Sequence, residues 1–247
     1  MHRLPFTDNY TLRPNEVDVE HLLRLSSLAD MFQNSAWRSA DVLGFGFHDL
    51  TSQGLAWVLS RMQITLDSYP DWGETVQLDT WPKRTDRLFA LRDFELYSQS
   101  DKSEPVVRAS SAWLLIDLKT RRPRRLESLE SAMPSLDRDA IEATPVKLSC
   151  PDSMPLHNVV QVRRSNLDMN YHTNNAAYIA WIEDCIPMEM YQHRRIHELT
   201  VNFVGESFIG DQLTIEYQLD QNHMNGRICN QKKQDVVLFS AGLSTRT

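Results

Sequence analysis

Three side chains able to move protons or bind an oxygen, Asp168, Asn170 and His172, occupy alternate positions in LDMNYHTNNAAYIAW, Leu167–Trp181. Alternate spacing predicts that an extended segment sends all three to one side. Thr173, Asn174 and Asn175 follow, and then an apolar run with helical steps. Polar residues of this kind start helices, because their oxygens accept from the free N–H groups of the first turn. The pattern therefore sets a carboxylate, an amide and an imidazole beside a helix N-terminus. Backbone donors near Thr173–Asn175 and the positive end of the helix dipole would point there. Such a place suits a reaction that develops negative charge on an oxygen.

The rest of the chain must hold these groups in place. It has 247 residues, 41% hydrophobic and 24% charged, with a net charge of −7. That length builds one large domain or two small ones. No apolar run reaches a membrane span. The N-terminal MHRLPFTDNYTLRP has neither a secretory apolar core nor a basic transit segment, so the expected location is cytoplasmic. Cys150, Cys185 and Cys229 are odd in number and widely spaced, which fits neither a disulfide framework nor a zinc site. The negative charge argues against nucleic acid as the main partner. The glycines of Gly44–Leu50 do not follow a strand of a βαβ unit, so they do not read as a phosphate loop.

Strand and helix signals come twice in the same order. Phe6–Arg13 reads as a strand, followed by a helix with Leu22, Leu25, Ala29, Phe32 and Ala36 on one stripe. Gly54–Leu66, Glu74–Trp81, Leu88–Tyr97 and Val106–Leu118 read as four more strands. Thr120–Val146 is charged and carries prolines, as a linker would. Then come a strand at Val159–Arg163 and a helix at Asn174–Cys185, with Ala176, Ile179, Ile182 and Ile186 inward. Strands at His197–Val204, Asp211–Leu219, Arg227–Gln231 and Val236–Ser244 complete the second set. A shift of 137 lays Gly73 on Gly210 and Val76 on Leu213, and a shift of 150 lays Asp18 on Asp168. This is a degenerate internal repeat. The copies differ in chemistry: Leu22 falls opposite His172, Glu20 opposite Asn170, and Tyr69 opposite Glu206. One helix among antiparallel strands buries its apolar stripe by letting the sheet curl around it. The expected fold is therefore α+β, a tandem (double) hotdog. Its N-terminal domain spans 1–126, an interdomain linker 127–156, and the C-terminal domain 157–247.

Several long, ungapped stretches resemble the acyl-acyl carrier protein thioesterases, the plant plastid enzymes and their bacterial relatives. They are Leu55–Pro82, Arg108–Leu126, the LDMNYHTNNAAYIAW motif and ELTVNFVGESFIGD (Glu198–Asp211). Together they span nearly the whole chain. Ser207 stands where plant members carry a Cys, which removes a nucleophilic cysteine at that position. The resemblance implies hydrolysis of the thioester of fatty acyl-acyl carrier protein, within fatty acid biosynthesis. It also implies no metal, no organic cofactor and a homodimer. It implies catalytic roles for Asp168, Asn170 and His172, with Glu206 as the carboxylate of the second segment.

On that reading Glu206 activates water or attacks the carbonyl itself, and the sequence leaves both open. His172 bonds the water or the leaving thiolate, Asn170 orients water or the carbonyl oxygen, and Asp168 fixes the local geometry. Met31, Phe32 and Trp37 of the first helix are the expected acyl-tail contacts, because the family's first domain holds the tail. Acyl carrier protein is acidic, so the enzyme needs a basic patch, and Arg121, Arg122, Arg124 and Arg125 are the expected docking cluster. Cys185 reads as a core cysteine. Alternatives are an acyl-CoA thioesterase, a hotdog-type 3-hydroxyacyl thioester dehydratase and a non-catalytic acyl-binding protein. Asn170 and the Glu206-Ser207 segment fit the dehydratase poorly, and the intact polar set argues against loss of catalysis.

Overall fold

The computed structural model describes residues 4–126, 133–151 and 153–245. The chain forms two compact units. One comprises the residues up to Leu23 together with Asp30–Pro145, the other Arg24–Ala29 with Val146–Thr247. Part of the expected linker, 127–132 and 152, lies outside the described residues.

The first unit has strands β1 (Phe6–Thr11), β2 (Leu55–Leu66), β3 (Thr75–Asp86), β4 (Phe89–Ser98) and β5 (Val107–Asp117). They hydrogen-bond in the order β1-β3-β4-β5-β2, each pair antiparallel. Val76, Leu78 and Thr80 on β3 are buried, as their period of two requires. Helix α1 (Leu25–Val42) runs without proline or glycine, and its turns up to Ala29 group with the second unit. Against the first unit's sheet it packs Phe32 on Phe94 of β4, ring centroids 4.6 Å apart. Gly44–Leu50, expected as loop, contains the start of a short helix, α2 (Phe47–Thr51). Its Leu50 has an apolar site to fill, made by Ala90, Leu115 and Leu126.

The second unit repeats the plan. Strands β6 (Leu156–Gln161), β7 (Arg194–Phe203), β8 (Gln212–Leu219), β9 (His223–Cys229) and β10 (Asp235–Thr245) pair in the order β7-β10-β9-β8-β6, all antiparallel. Helix α3 (Asn175–Glu183) buries Ala176, Tyr178, Ile179 and Ile182, and α4 (Met188–Tyr191) is a single turn. The helix–strand patterns thus resolve into two hotdog units. The repeat extends to register: Phe6 pairs with Thr80 in the first unit, and Leu156 with Tyr217 in the second, the same shifts of 150 and 137. Gly73 and Gly210 both adopt positive φ (78° and 89°) in the same turn, where a residue without Cβ is unstrained.

Residues 133–145 are not a loose tether. Leu136 N–H donates to Pro82 O (3.0 Å), Trp81 Nε1 to Arg138 O (2.8 Å) and Ala140 N–H to Asp93 Oδ2 (2.8 Å). Lys83, its side chain 1% exposed, lies 3.2 Å from Asp93 and 3.0 Å from Asp139, and also donates to Ile141 O. Burial pushes the Asp93 carboxyl up, and the neighbouring Ser110 hydroxyl and Lys83 ammonium oppose that shift. Among the described residues no helix is long and apolar enough to cross a membrane.

Candidate active site

The loop from Leu167 to Thr173 is a tight turn, not the extended segment that alternate spacing predicts. Leu167 and Thr173 form an isolated bridge, and Asp168 N–H donates to His172 O (2.8 Å). Asp168 Oδ1 accepts from Asn170 N–H (2.8 Å) and His172 N–H (3.2 Å). A short side chain that satisfies its own loop's N–H groups favours a turn over a strand. Tyr171 reverses the chain there with a φ of 64°. Asp168 thus turns its carboxylate into the loop, whereas Asn170 is exposed.

His172 and Glu206 come together. His172 Nδ1 lies 3.7 Å from Glu206 Oε1, with side chains 29% and 41% exposed. That is an ion-pair distance, longer than a direct hydrogen bond. Phe208 meets the His172 ring edge-on, centroids 5.2 Å apart at 85°, which fixes the ring plane. Val204 and Phe208, two residues to either side of Glu206, are exposed.

The helix start is as expected: Asn174 caps α3, its Oδ1 accepting from Ala176 N–H at 3.2 Å. The backbone donors expected for an oxyanion are in part already used. Thr173 N–H donates to Ser207 O (3.0 Å) and Asn174 N–H to Asn166 O (2.8 Å). The tight loop consumes them, because a buried N–H must find an acceptor.

Ser207 is fully buried. Its hydroxyl lies 2.6 Å from Thr173 Oγ1 and 2.7 Å from the Tyr178 hydroxyl. Burial pushes the Tyr178 phenol up, so it stays a neutral donor. Sequence reasoning missed Thr173 and Tyr178 as members of the site, although both lie in the motif it started from. Nothing in the spacing says that their hydroxyls converge.

Cys185 is buried at the far end of this helix. Its thiol donates to Trp181 O (3.3 Å) and accepts from Asn158 Nδ2 (3.5 Å). Burial above all raises its pKa from 9.0 to about 11. It is a core thiol, as the sequence implies.

The remaining expected residues lie in the first unit. Met31 and Phe32 are buried, Phe32 in the stack with Phe94, whereas Trp37 is 46% exposed and off the buried stripe. Arg121, Arg122, Arg124 and Arg125 are all exposed, on and just after a turn closed by Asp117 N–H to Arg122 O at 3.0 Å.

The fold is that of two hotdog units, with His172 and Glu206 brought together in the second, and comparison with known proteins gives the family. The family model described as "Acyl-ACP thioesterase N-terminal domain" matches residues 3–129, and that of the "Acyl-ACP thioesterase C-terminal domain" matches residues 151–239. The chain belongs to the acyl-ACP thioesterase family. It is 30% identical over 216 residues to a chloroplastic palmitoyl-acyl carrier protein thioesterase of Gossypium hirsutum, covering 82% of this chain and 52% of that protein. With oleoyl-acyl carrier protein thioesterase 1 of Arabidopsis thaliana it shares 28% over 222 residues, 82% of this chain and 60% of the other. The chain thus spans about half the length of the chloroplast relatives it matches. The crystal structure of an acyl-ACP thioesterase from Bacteroides thetaiotaomicron superposes with a TM-score of 0.88 at 27% identity, covering 96% of this chain and 97% of that one. A 12:0-ACP thioesterase from Umbellularia californica shares the fold, with a TM-score of 0.86 at 21% identity and coverage of 100% and 99%.

Proposed function

We propose that this chain hydrolyses the thioester between a fatty acyl group and acyl carrier protein, releasing free fatty acid. The observation that carries the reading is the pairing of His172 Nδ1 with Glu206 Oε1 at 3.7 Å in the second unit, at positions where the first unit has Leu22 and Tyr69. A water about 2.8 Å from each atom fits at the apex of that pair. Glu206 takes one proton from the water as its oxygen attacks the carbonyl carbon. The amide of Asn170, which is exposed and two residues before His172 in the chain, supplies the donor to the developing oxyanion. When the C–S bond breaks, His172 protonates the leaving sulfur, and the proton held by Glu206 passes to His172 to close the cycle. Asp168 acts through the turn it closes.

The division of labour follows the two units. The N-terminal domain (1–126) binds the acyl tail along the helix that carries Met31, Phe32 and Trp37. The C-terminal domain (157–247) does the chemistry. Arg121, Arg122, Arg124 and Arg125 dock the acidic carrier protein by complementary charge. The proposal extends to a cytoplasmic homodimer. Cys150, Cys185 and Cys229 are free, as in a reducing compartment, and sedimentation of the purified protein tests the dimer.

The deciding experiment is release of the carrier-protein thiol from a panel of acyl-acyl carrier proteins, with acyl-CoA and 3-hydroxyacyl thioesters alongside. Turnover of the acyl carrier proteins, lowered about a hundredfold or more by Glu206→Gln, is the expected result. Dehydration of the 3-hydroxyacyl thioesters, or no thiol release from any of them, overturns it.

A further inference from the structure

Ser207 follows Glu206, Thr173 follows His172, and the two followers are fastened to each other. Thr173 N–H and Thr173 Oγ1–H both donate to Ser207 O, at 3.0 and 3.1 Å. The Ser207 hydroxyl lies 2.6 Å from Thr173 Oγ1 and 2.7 Å from the Tyr178 hydroxyl, and either atom of each pair can donate. The three hydroxyls form one buried chain that ends on the Ser207 carbonyl. On the other side of Glu206, Val204 N–H and Gly205 N–H both donate to Val236 O, at 2.9 and 3.0 Å. A Cβ at Gly205 would stand 2.9 Å from Asp235 O, so the chain enters Glu206 pressed against β10. Glu206 is held from both sides while its side chain reaches His172.

The first unit is the internal control. The shifts of 150 and 137 bring Leu23 onto Thr173, Leu28 onto Tyr178 and Pro70 onto Ser207. The same backbone bond is present, Leu23 N–H to Pro70 O at 2.9 Å, yet none of the three residues carries a hydroxyl. The backbone bond thus forms without the hydroxyls. The hydroxyls occur in the copy that also has the acid–base pair.

We infer that Ser207, Tyr178 and Thr173 are positioning residues: their hydroxyl chain holds the Glu206 carboxylate against His172 without touching substrate. The inference rests on the reading of Glu206 and His172 as the reacting pair. The test measures kcat, KM and the thermal midpoint for Ser207→Ala and Tyr178→Phe, each alone and combined with Glu206→Gln. Each single change is expected to lower kcat about tenfold or more, because small misplacements of a catalytic group are costly. KM should move less than about twofold, since substrate binding is not involved. In the Glu206→Gln background neither change should slow the enzyme further, and Ser207→Cys should restore part of the lost kcat. Undiminished losses in that background, or an equal rise in KM, would assign the hydroxyls to general structure. Normal turnover by a folded Tyr178→Phe and Ser207→Ala, beside a crippled Glu206→Gln, sinks the positioning role and leaves the reacting pair standing. Normal turnover by Glu206→Gln sinks the pair itself, and the inference with it.

Discussion

Asp18 and Asp168 close the same turn with the same atom. Asp18 Oδ1 accepts from Glu20 N–H and Leu22 N–H at 2.7 and 3.0 Å, and Asp168 Oδ1 from Asn170 N–H and His172 N–H at 2.8 and 3.2 Å. The first unit makes this turn with Leu22 at the position that His172 holds in the second. In both copies the side-chain oxygen serves the loop as an acceptor for two of its own N–H groups.

Asp168→Asn should therefore keep most of the activity, because its amide oxygen accepts from the same two N–H groups. Its kcat is expected within about threefold of the wild type, whereas Asp168→Ala falls about tenfold or more as the turn loosens. Steady-state kinetics on acyl-acyl carrier protein decide the matter. An Asp168→Asn enzyme as slow as Asp168→Ala would mean that the negative charge itself is used.

Cys185 should matter for stability at high pH and not for turnover. Its folded pKa, about 11 against an ordinary 9.0, is raised, so its contribution is full below the unfolded value and is lost as pH climbs through the folded one. Between pH 9 and 11 that loss amounts to roughly 2 kcal/mol. Urea unfolding across this range should show a steeper alkaline decline for the wild type than for Cys185→Ala, with kcat unchanged. Parallel curves, or an inactive yet folded Cys185→Ala, contradict this.

The arginine cluster should act on the carrier and not on the thioester. Asp117, its carboxyl held below the usual range first by the Thr120 N–H, anchors the turn that leads into the cluster. Reversal of Arg121, Arg122, Arg124 and Arg125 to Glu should raise KM for acyl-acyl carrier protein about tenfold or more at low salt, and flatten its salt dependence. A short acyl-CoA should be affected less than about twofold. Equal losses on both substrates assign the cluster to structure, and no loss on either moves docking elsewhere.

Chain length should respond to bulk on the first unit's helix stripe. Ala36 is buried there, four residues beyond Phe32. Ala36→Phe costs about 1–3 kcal/mol in packing and should shorten the released fatty acids, since each methylene left unburied forfeits about 0.8 kcal/mol. Gas chromatography of the products is the readout. An unaltered profile from a folded Ala36→Phe, with an altered one from Ile179→Phe, places the tail in the second unit.

The parts of the fold set by local pattern were legible in the sequence. Leu213, Ile215 and Tyr217 alternate and are buried. Asn174 caps its helix, and two glycines at positive φ mark the repeat. Asp168, Asn170 and His172 alternate with Leu167, Met169 and Tyr171, which reads as a strand, yet Met169 and Tyr171 are exposed and bury no apolar face. The structure resolves this through backbone bonds that close within five residues. The convergence of Thr173, Tyr178 and Ser207 depends on contacts 29 to 34 residues apart, which no local spacing encodes. Arg92, whose guanidinium donates to Ser39 and Thr80 at 3.1 Å, is buried on β4 and desolvated to a pKa of about 10. Composition alone would put such a residue in water.

Lys83 carries a consequence for dissecting the molecule. Its ammonium is shared among Asp93, Asp139 and the Ile141 carbonyl, and two of those three partners come after residue 132. A recombinant fragment ended at Leu126, the domain boundary read from the sequence, would strand a buried cation beside a single carboxylate. Removing a partner from such a site costs roughly 3–5 kcal/mol, enough to leave a small unit unfolded. A fragment ended at Pro145 keeps all three contacts. The stretch with the least regular structure thus sets where the first unit can be cut.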